Sequence, residues 1–182
     1  MSCSGSWKRV DRTVSDLTPD QIRRMKVALV IVSAQLNDDV DKANALFLAS
    51  GSELGPLVDG TFELAVALST LLGGMTGNSV ASTLQAVQPV DVAIVPGASV
   101  NWGVGVAMVE AVRTGDPRTV EIGSQVDVPT ALQIAFGMVV ALLFALDGVQ
   151  GQAIDKWVEL LAGWLSAGAP GAPEGWEPPV PP

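Results

Sequence analysis

The stretch TALQIAFGMVVALLFAL, residues 130–146, runs for seventeen residues without a charge. Asp127-Val128-Pro129 opens it and Asp147-Gly148 closes it, so it reads as the most apolar helix of the chain. Such a helix is either the centre of a soluble core or a bilayer span, and seventeen residues touch the lower limit of length for the second. A span should gather basic residues at one end. Here Asp127 and Asp147 flank the run while Arg118 and Lys156 lie further off, so a central core helix is expected. Longer uncharged stretches, 64–90 and 92–109, are interrupted by Gly73-Gly74, Asn78, Pro89, Pro96 and Asn101, and neither is expected to span.

A core helix needs others around it, and the rest of the chain supplies them. Thr18-Pro19-Asp20-Gln21 combines an N-cap, a proline at the first helical position and a glutamine that completes a capping box. The helix it opens, 19–36, carries Ile22, Met25, Leu29, Val32 and Leu36 on one stripe. Asn37-Asp38 is expected to stop it and to cap a second helix, with Val40, Ala43 and Phe47 on one face, that ends at Gly51. Residues 51–60 read as a turn, followed by a third helix over 61–72 that Gly73-Gly74 and Gly77-Asn78 break. A fourth carries Val80, Leu84 and Val87, and further helices are expected over 99–113 and 152–165. The last of these places Trp157, Leu161, Trp164 and Leu165 opposite Asp155, Lys156 and Glu159.

The fold class expected is therefore all-α: a helical bundle of about seven or eight helices. Its divisions are a flexible basic arm over 1–17, a helical unit over 18–89, a linker over 90–97, a second unit over 98–166 packed on the first, and a disordered Pro/Gly-rich tail over 167–182. The residues 90–95 have the composition of a short strand, but a lone strand has nothing to pair with. The two units also look like degenerate copies of one helical-hairpin unit. Asn37-Asp38 answers to Gly115-Asp116, and Phe62-Glu63-Leu64-Ala65 to Leu132-Gln133-Ile134-Ala135.

Composition narrows function mainly by exclusion. Of 182 residues 48% are hydrophobic and only 16% charged, so much surface must be hidden in a core, an oligomer interface or a membrane. Histidine is absent, which removes imidazole acid–base steps, Ser-His and Cys-His nucleophile pairs and histidine metal sites. Cys3 is the single cysteine, so no intrachain disulfide and no thiolate metal cage can form, and a reducing compartment is the simple inference. The N-terminal residues lack the apolar segment of a secretory or lipidation signal. Heavy use of Ala, Val and Gly with no Tyr or His fits the coding bias of a high-GC genome, such as an actinobacterium or one of its phages.

The net charge of −9 is uneven: residues 1–26 hold six basic side chains against three acidic ones, and only Lys42, Arg113, Arg118 and Lys156 are basic beyond them. Nucleic acid is not an expected partner, because neutralising phosphates needs a basic footprint. Asn37, Asp39 and Asp41 resemble the start of a calcium loop, but Lys42 stands where the tight turn needs glycine and Leu48 where a bidentate glutamate belongs. Acidic residues at a helix start explain the cluster better. Glu63 and Glu110 would be acid–base candidates if buried; each is expected to face solvent from the polar side of its helix, with no second carboxylate spaced to pair with it. Gly97, Gly103 and Gly105 lack the lysine and spacing of a phosphate loop.

No catalytic, cofactor or metal residues are therefore expected, and a non-enzymatic protein acting through a protein partner or self-association is. The residues expected to touch a partner are Trp176, Pro178, Pro179, Pro181 and Pro182, because a proline-rich segment suits an aromatic-lined groove. Cytoplasmic or virion-associated placement goes with that reading. The alternative is a small membrane-associated protein, holin-like or regulatory, with 130–146 in the bilayer.

Overall fold

The computed structural model describes residues 17–50, 54–87, 90, 101–116, 121, 125–151 and 153–169. Helix α1, Pro19–Leu36, starts where the capping box sets it: Gln21 N donates to Thr18 Oγ1 at 3.2 Å and Thr18 N to Gln21 Oε1 at 2.8 Å. Asp38 then takes a left-handed φ of 55°, a conformation that Asp tolerates better than most residues. The cap of α2, Val40–Ser50, is consequently Asp39 rather than Asn37 or Asp38, with Lys42 N donating to Asp39 Oδ1 at 3.2 Å. Val40 is exposed, and Ala43 and Phe47 hold the helix to its neighbour.

Helix α3, Leu54–Thr76, is longer at both ends than the expected 61–72. Pro56 falls in its first turn, where a missing N–H costs nothing. Gly60 sits inside it for packing: a Cβ there would lie 2.6 Å from Arg24 Cβ and 2.7 Å from the Arg24 carbonyl carbon, so α1 and α3 meet backbone to backbone at this point. Gly73-Gly74 does not break the helix, which continues to Thr76 before Gly77 turns the chain with a φ of 71°. Ser79 caps α4, Val80–Ala86, and Asn101 caps α5, Trp102–Thr114. Asp127 accepts from Thr130 N at 2.8 Å to start α6, Val128–Gln150. That helix runs past Asp147-Gly148 and stops at Gly151, whose left-handed φ of 63° sends the chain into α7, Ile154–Ser166.

Among the described residues there are seven helices and no strand, and the protein is an all-α bundle. Its axis is the α3–α6 pair. Every residue of α6 from Ala131 to Leu143 is buried, so the helix is enclosed on all sides rather than amphipathic. Helices α1, α4 and α5 pack on α3; α5 and α7 pack on α6; α7 also meets α1, and α2 leans chiefly on α1. Phe62, Leu64, Leu68, Phe136, Met138 and Leu142 fill the centre, and Trp157, Leu161, Trp164 and Leu165 close it with the face of α7 that the sequence marked. Beyond α7 the chain stays on the bundle as far as Ala169, which is 1% exposed.

Neighbour relations in the two halves run in parallel. As α1 lies on α3, so α5 lies on α6; α4 follows and packs on α3, and α7 follows and packs on α6; the ends cross over, α4 onto α5 and α7 onto α1. The place that α2 holds between α1 and α3 answers to the stretch between α5 and α6, where Glu121 is helical.

Candidate functional site

Two places in the bundle gather side chains that packing alone does not require. The first is polar, on the α1–α3 seam. The Asp59–Glu63 spacing puts two carboxylates one turn apart on the same side of α3, facing Arg24 of α1. Arg24 Nη1 lies 3.8 Å from Asp59 Oδ2, Nη2 lies 3.6 Å from Glu63 Oε1 and Nε lies 3.7 Å from Asp20 Oδ2. These are ion pairs at longer than hydrogen-bond range. Gln21, besides its part in the capping box, donates from Nε2 to Glu63 Oε1 at 2.9 Å. A single glutamine thus fastens the start of α1 both to its own cap and to α3.

This corrects the expectation for Glu63: its side chain is 11% exposed and turned onto α1, not to solvent, because Gln21 and Arg24 supply the donor and the charge that make burial tolerable. Asp59 is the second carboxylate that the sequence reading did not find. Its side chain is largely exposed, but the part of the carboxyl against the α1–α3 seam loses water, which pushes it above the usual aspartate range, with the Arg24 charge pulling part of the way back. Glu110 likewise has a partner: Arg113 Nη2 donates to Glu110 Oε2 at 2.7 Å and Nε to the same oxygen at 3.1 Å, one turn apart on α5. In both places the carboxylates serve to join helices or turns.

The second place is an apolar groove of about 390 Å³ where the C-terminal turns of α3, helix α4 and the C-terminal half of α6 diverge. Leu72, Val87, Val90, Ala141, Phe144 and Val149 form most of its wall together with Thr76, Asn78 and Thr83, and no charged side chain lines it among the described residues. The polar groups there are largely committed to the protein: Thr83 Oγ1 donates to the Ser79 carbonyl at 2.8 Å, Thr76 Oγ1 to the Leu72 carbonyl at 2.9 Å, and Asn78 Nδ2 to Thr76 Oγ1 at 3.1 Å. Phe144 and Val149 stand at its rim 47% and 49% exposed, beyond the enclosed stretch from Ala131 to Leu143. The volume is in the range of binding pockets, and the described lining offers shape and apolar area rather than charge.

The remaining candidates are placed as follows. Asn37, Asp39 and Asp41 lie in the α1–α2 turn and first turn of α2, and no group of three or more potential metal ligands occurs among the described residues. Gly103 and Gly105 lie within α5, where a Cβ on Gly105 would overlap the Met138 sulfur and stand 2.8 Å from Ile134 Cγ2; its role is to let α5 approach α6. Trp176, Pro178, Pro179, Pro181 and Pro182, the basic residues before Leu17, Cys3, Gly97 and the strand-like 91–95 lie outside the described residues. Helices α3 and α6, each 23 residues, are long and apolar enough to cross a membrane, and 72% of the most apolar window of each is buried by the rest of the bundle. No protein-family model, curated protein or solved structure matches the chain.

Proposed function

We propose that this chain is a non-enzymatic structural or adaptor protein whose helical bundle works through protein–protein contacts, self-association included. The observation that carries the reading is the α3/α4/α6 groove. An open apolar surface, uncharged among the described residues and rimmed by a half-exposed phenylalanine, is what a protein contact buries, and aromatic side chains are enriched among the residues that carry the energy of such contacts. Support from chemistry is indirect: the carboxylates that stood out as acid–base candidates, Glu63 and Glu110, are engaged in joining elements. Light scattering tests the self-associating part. The purified chain should have a mass above that of one copy, and Phe144→Ser should lower it; a clean monomer at all concentrations removes self-association and leaves the adaptor role to co-purification from the native source. In this reading its place is the cytoplasm, or the virion if the chain is phage-encoded.

A second reading has one observation in its favour: α3 and α6 each span about 34 Å, enough to cross the roughly 30 Å hydrocarbon core of a bilayer. On it the chain is a small membrane-associated protein, holin-like or regulatory, and the bundle opens to insert. Fractionation separates the two. Protein that stays in the supernatant without detergent ends the membrane reading; extraction only by detergent ends the first.

We propose as well that the two units are degenerate copies of one helical-hairpin unit. The parallel neighbour relations of α1–α3–α4 and α5–α6–α7 support it. A solution structure in which no single rotation superposes the two sets would remove it.

A further inference from the structure

We infer that the outer face of α1 pairs with the same face of a second copy of this chain, the two helices antiparallel about a two-fold axis near Val30. This rests on the self-associating part of the proposed reading and gives it a surface separate from the groove. Spacing defines the face. Arg23, Lys26, Val27 and Val30 recur at three and four along α1 and so share one side, and all four are exposed on a helix that α2, α3 and α7 pack around elsewhere. Val27 is 40% and Val30 44% exposed, which leaves apolar area in water at the middle of the face. Charge complementarity says what covers it. The end before the valines is basic, with Arg23 and Lys26; the end beyond them is acidic, with Asp38, Asp39 and Asp41 exposed against the single Lys42. Lys26 has no ion pair among the described residues, whereas Arg23, Arg24, Arg113 and Lys156 each have one.

A face that is basic at one end, apolar in the middle and acidic at the other is complementary to itself under a two-fold rotation, the symmetry of an isologous contact. The register fits. Arg23 lies seven residues before Val30, about 10 Å along the axis, and Leu36, the last residue of α1, lies six after it, about 9 Å. An antiparallel copy centred on Val30 therefore sets Arg23 level with the end of the other α1, and Lys26 one turn inside it, where a lysine's four-carbon stem bridges to the acidic turn. The last turn of α1 has no basic residue of its own, although a cation is favoured at a helix C-terminus. The second copy supplies that cation. Valine at the centre lets the two helices approach closely, which brings both charged ends together at once. Two chains of net charge −9 repel each other in most orientations, and this one sets basic groups against acidic ones on both sides of the axis.

The test is light scattering over a concentration series on the full chain carrying Phe144→Ser, so that the groove takes no part. The expected mass is that of two copies. Val30→Lys sets two like charges on the axis, and Lys26→Glu or Asp41→Lys sets like charges at both ends; each should weaken pairing by about tenfold or more. Circular dichroism checks that every variant keeps its helices. The Lys26→Glu chain and the Asp41→Lys chain, mixed in equal amounts, should pair again, because every like-charged contact then becomes an opposite one. The inference is overturned by a one-copy mass for the Phe144→Ser chain at all concentrations, by a mass that the charge variants leave unmoved, or by a mixture that stays apart. The two surfaces separate cleanly. Equal masses for the parent and the Phe144→Ser chain defeat self-association through the groove and leave this pairing, whereas a one-copy Phe144→Ser chain from a larger parent defeats this pairing alone.

Discussion

Two seams of this bundle each close on a glycine, yet they tolerate change differently. On the α1–α3 seam the atoms facing Gly60 are the Cβ, carbonyl carbon and carbonyl oxygen of Arg24, at 2.6–2.8 Å from where a Cβ would stand. On the α5–α6 seam the atoms facing Gly105 belong to the side chains of Met138 and Ile134. Backbone can yield only by moving a helix, whereas a methionine sulfur can change rotamer. The first seam also carries the Gln21–Glu63–Arg24–Asp59 network, while the facing groups on the second are apolar. A small residue therefore fixes a polar register in one place and only an approach distance in the other.

The largest expected effect is that of Gly60→Ala. Better helix propensity contributes about 1 kcal/mol, but separating α1 from α3 costs more, and we expect a net loss of about 3 kcal/mol in urea unfolding. A variant as stable as the parent would show that the seam is not rigid. Glu63→Ala should follow at about 2 kcal/mol, since it removes the acceptor of Gln21 and leaves the Arg24 guanidinium with only the longer pairs to Asp20 and Asp59. A double-mutant cycle with Gln21→Ala should show coupling; strict additivity would separate the cap from the seam.

Gly105→Ala should lose only about 1 kcal/mol, because Met138 can repack while Ile134 cannot fully do so. If it costs as much as Gly60→Ala, the contrast between the seams fails. The smallest effect is that of Asp59→Asn, within about 0.5 kcal/mol, because the aspartate side chain is 66% exposed. Its sign depends on pH. A carboxyl whose folded pKa is raised binds its proton more tightly in the native state, so the parent should lose stability relative to Asp59→Asn as pH climbs through the ordinary aspartate range. The opposite slope would mean that the Arg24 attraction outweighs burial.

Much of the fold was legible because its signals are local. The capping box at Thr18, the stripe on α7 and the charge-free run of α6 each lie within one helix and survive any packing. What was not legible depended on a partner helix. Glycine was read as a breaker at 60 and 73–74, but a glycine within a helix can equally mark close packing, and only the position of Arg24 distinguishes the two meanings for Gly60. That error hid the polar seam. With α3 started at residue 61, Asp59 fell in a turn, and the four-residue spacing to Glu63, the signal that was available, could not be seen as one helical face. The groove is a further step away from the sequence, since its lining comes from two stretches far apart in the chain, 72–90 and 141–149, whose composition resembles the rest of the core.

Helix α2 leans chiefly on α1, keeps Leu48 76% exposed and buries only Ala43 fully, while α6 is sealed from Ala131 to Leu143. Deuterium should enter the amides of α2 through local opening long before it reaches α6, at a free energy well below that of global unfolding; equal protection of both would show that α2 belongs to the same cooperative unit. The molecule is then a hard axle with one soft rim, and the rim is where an inserted tag or a lengthened loop should least disturb folding.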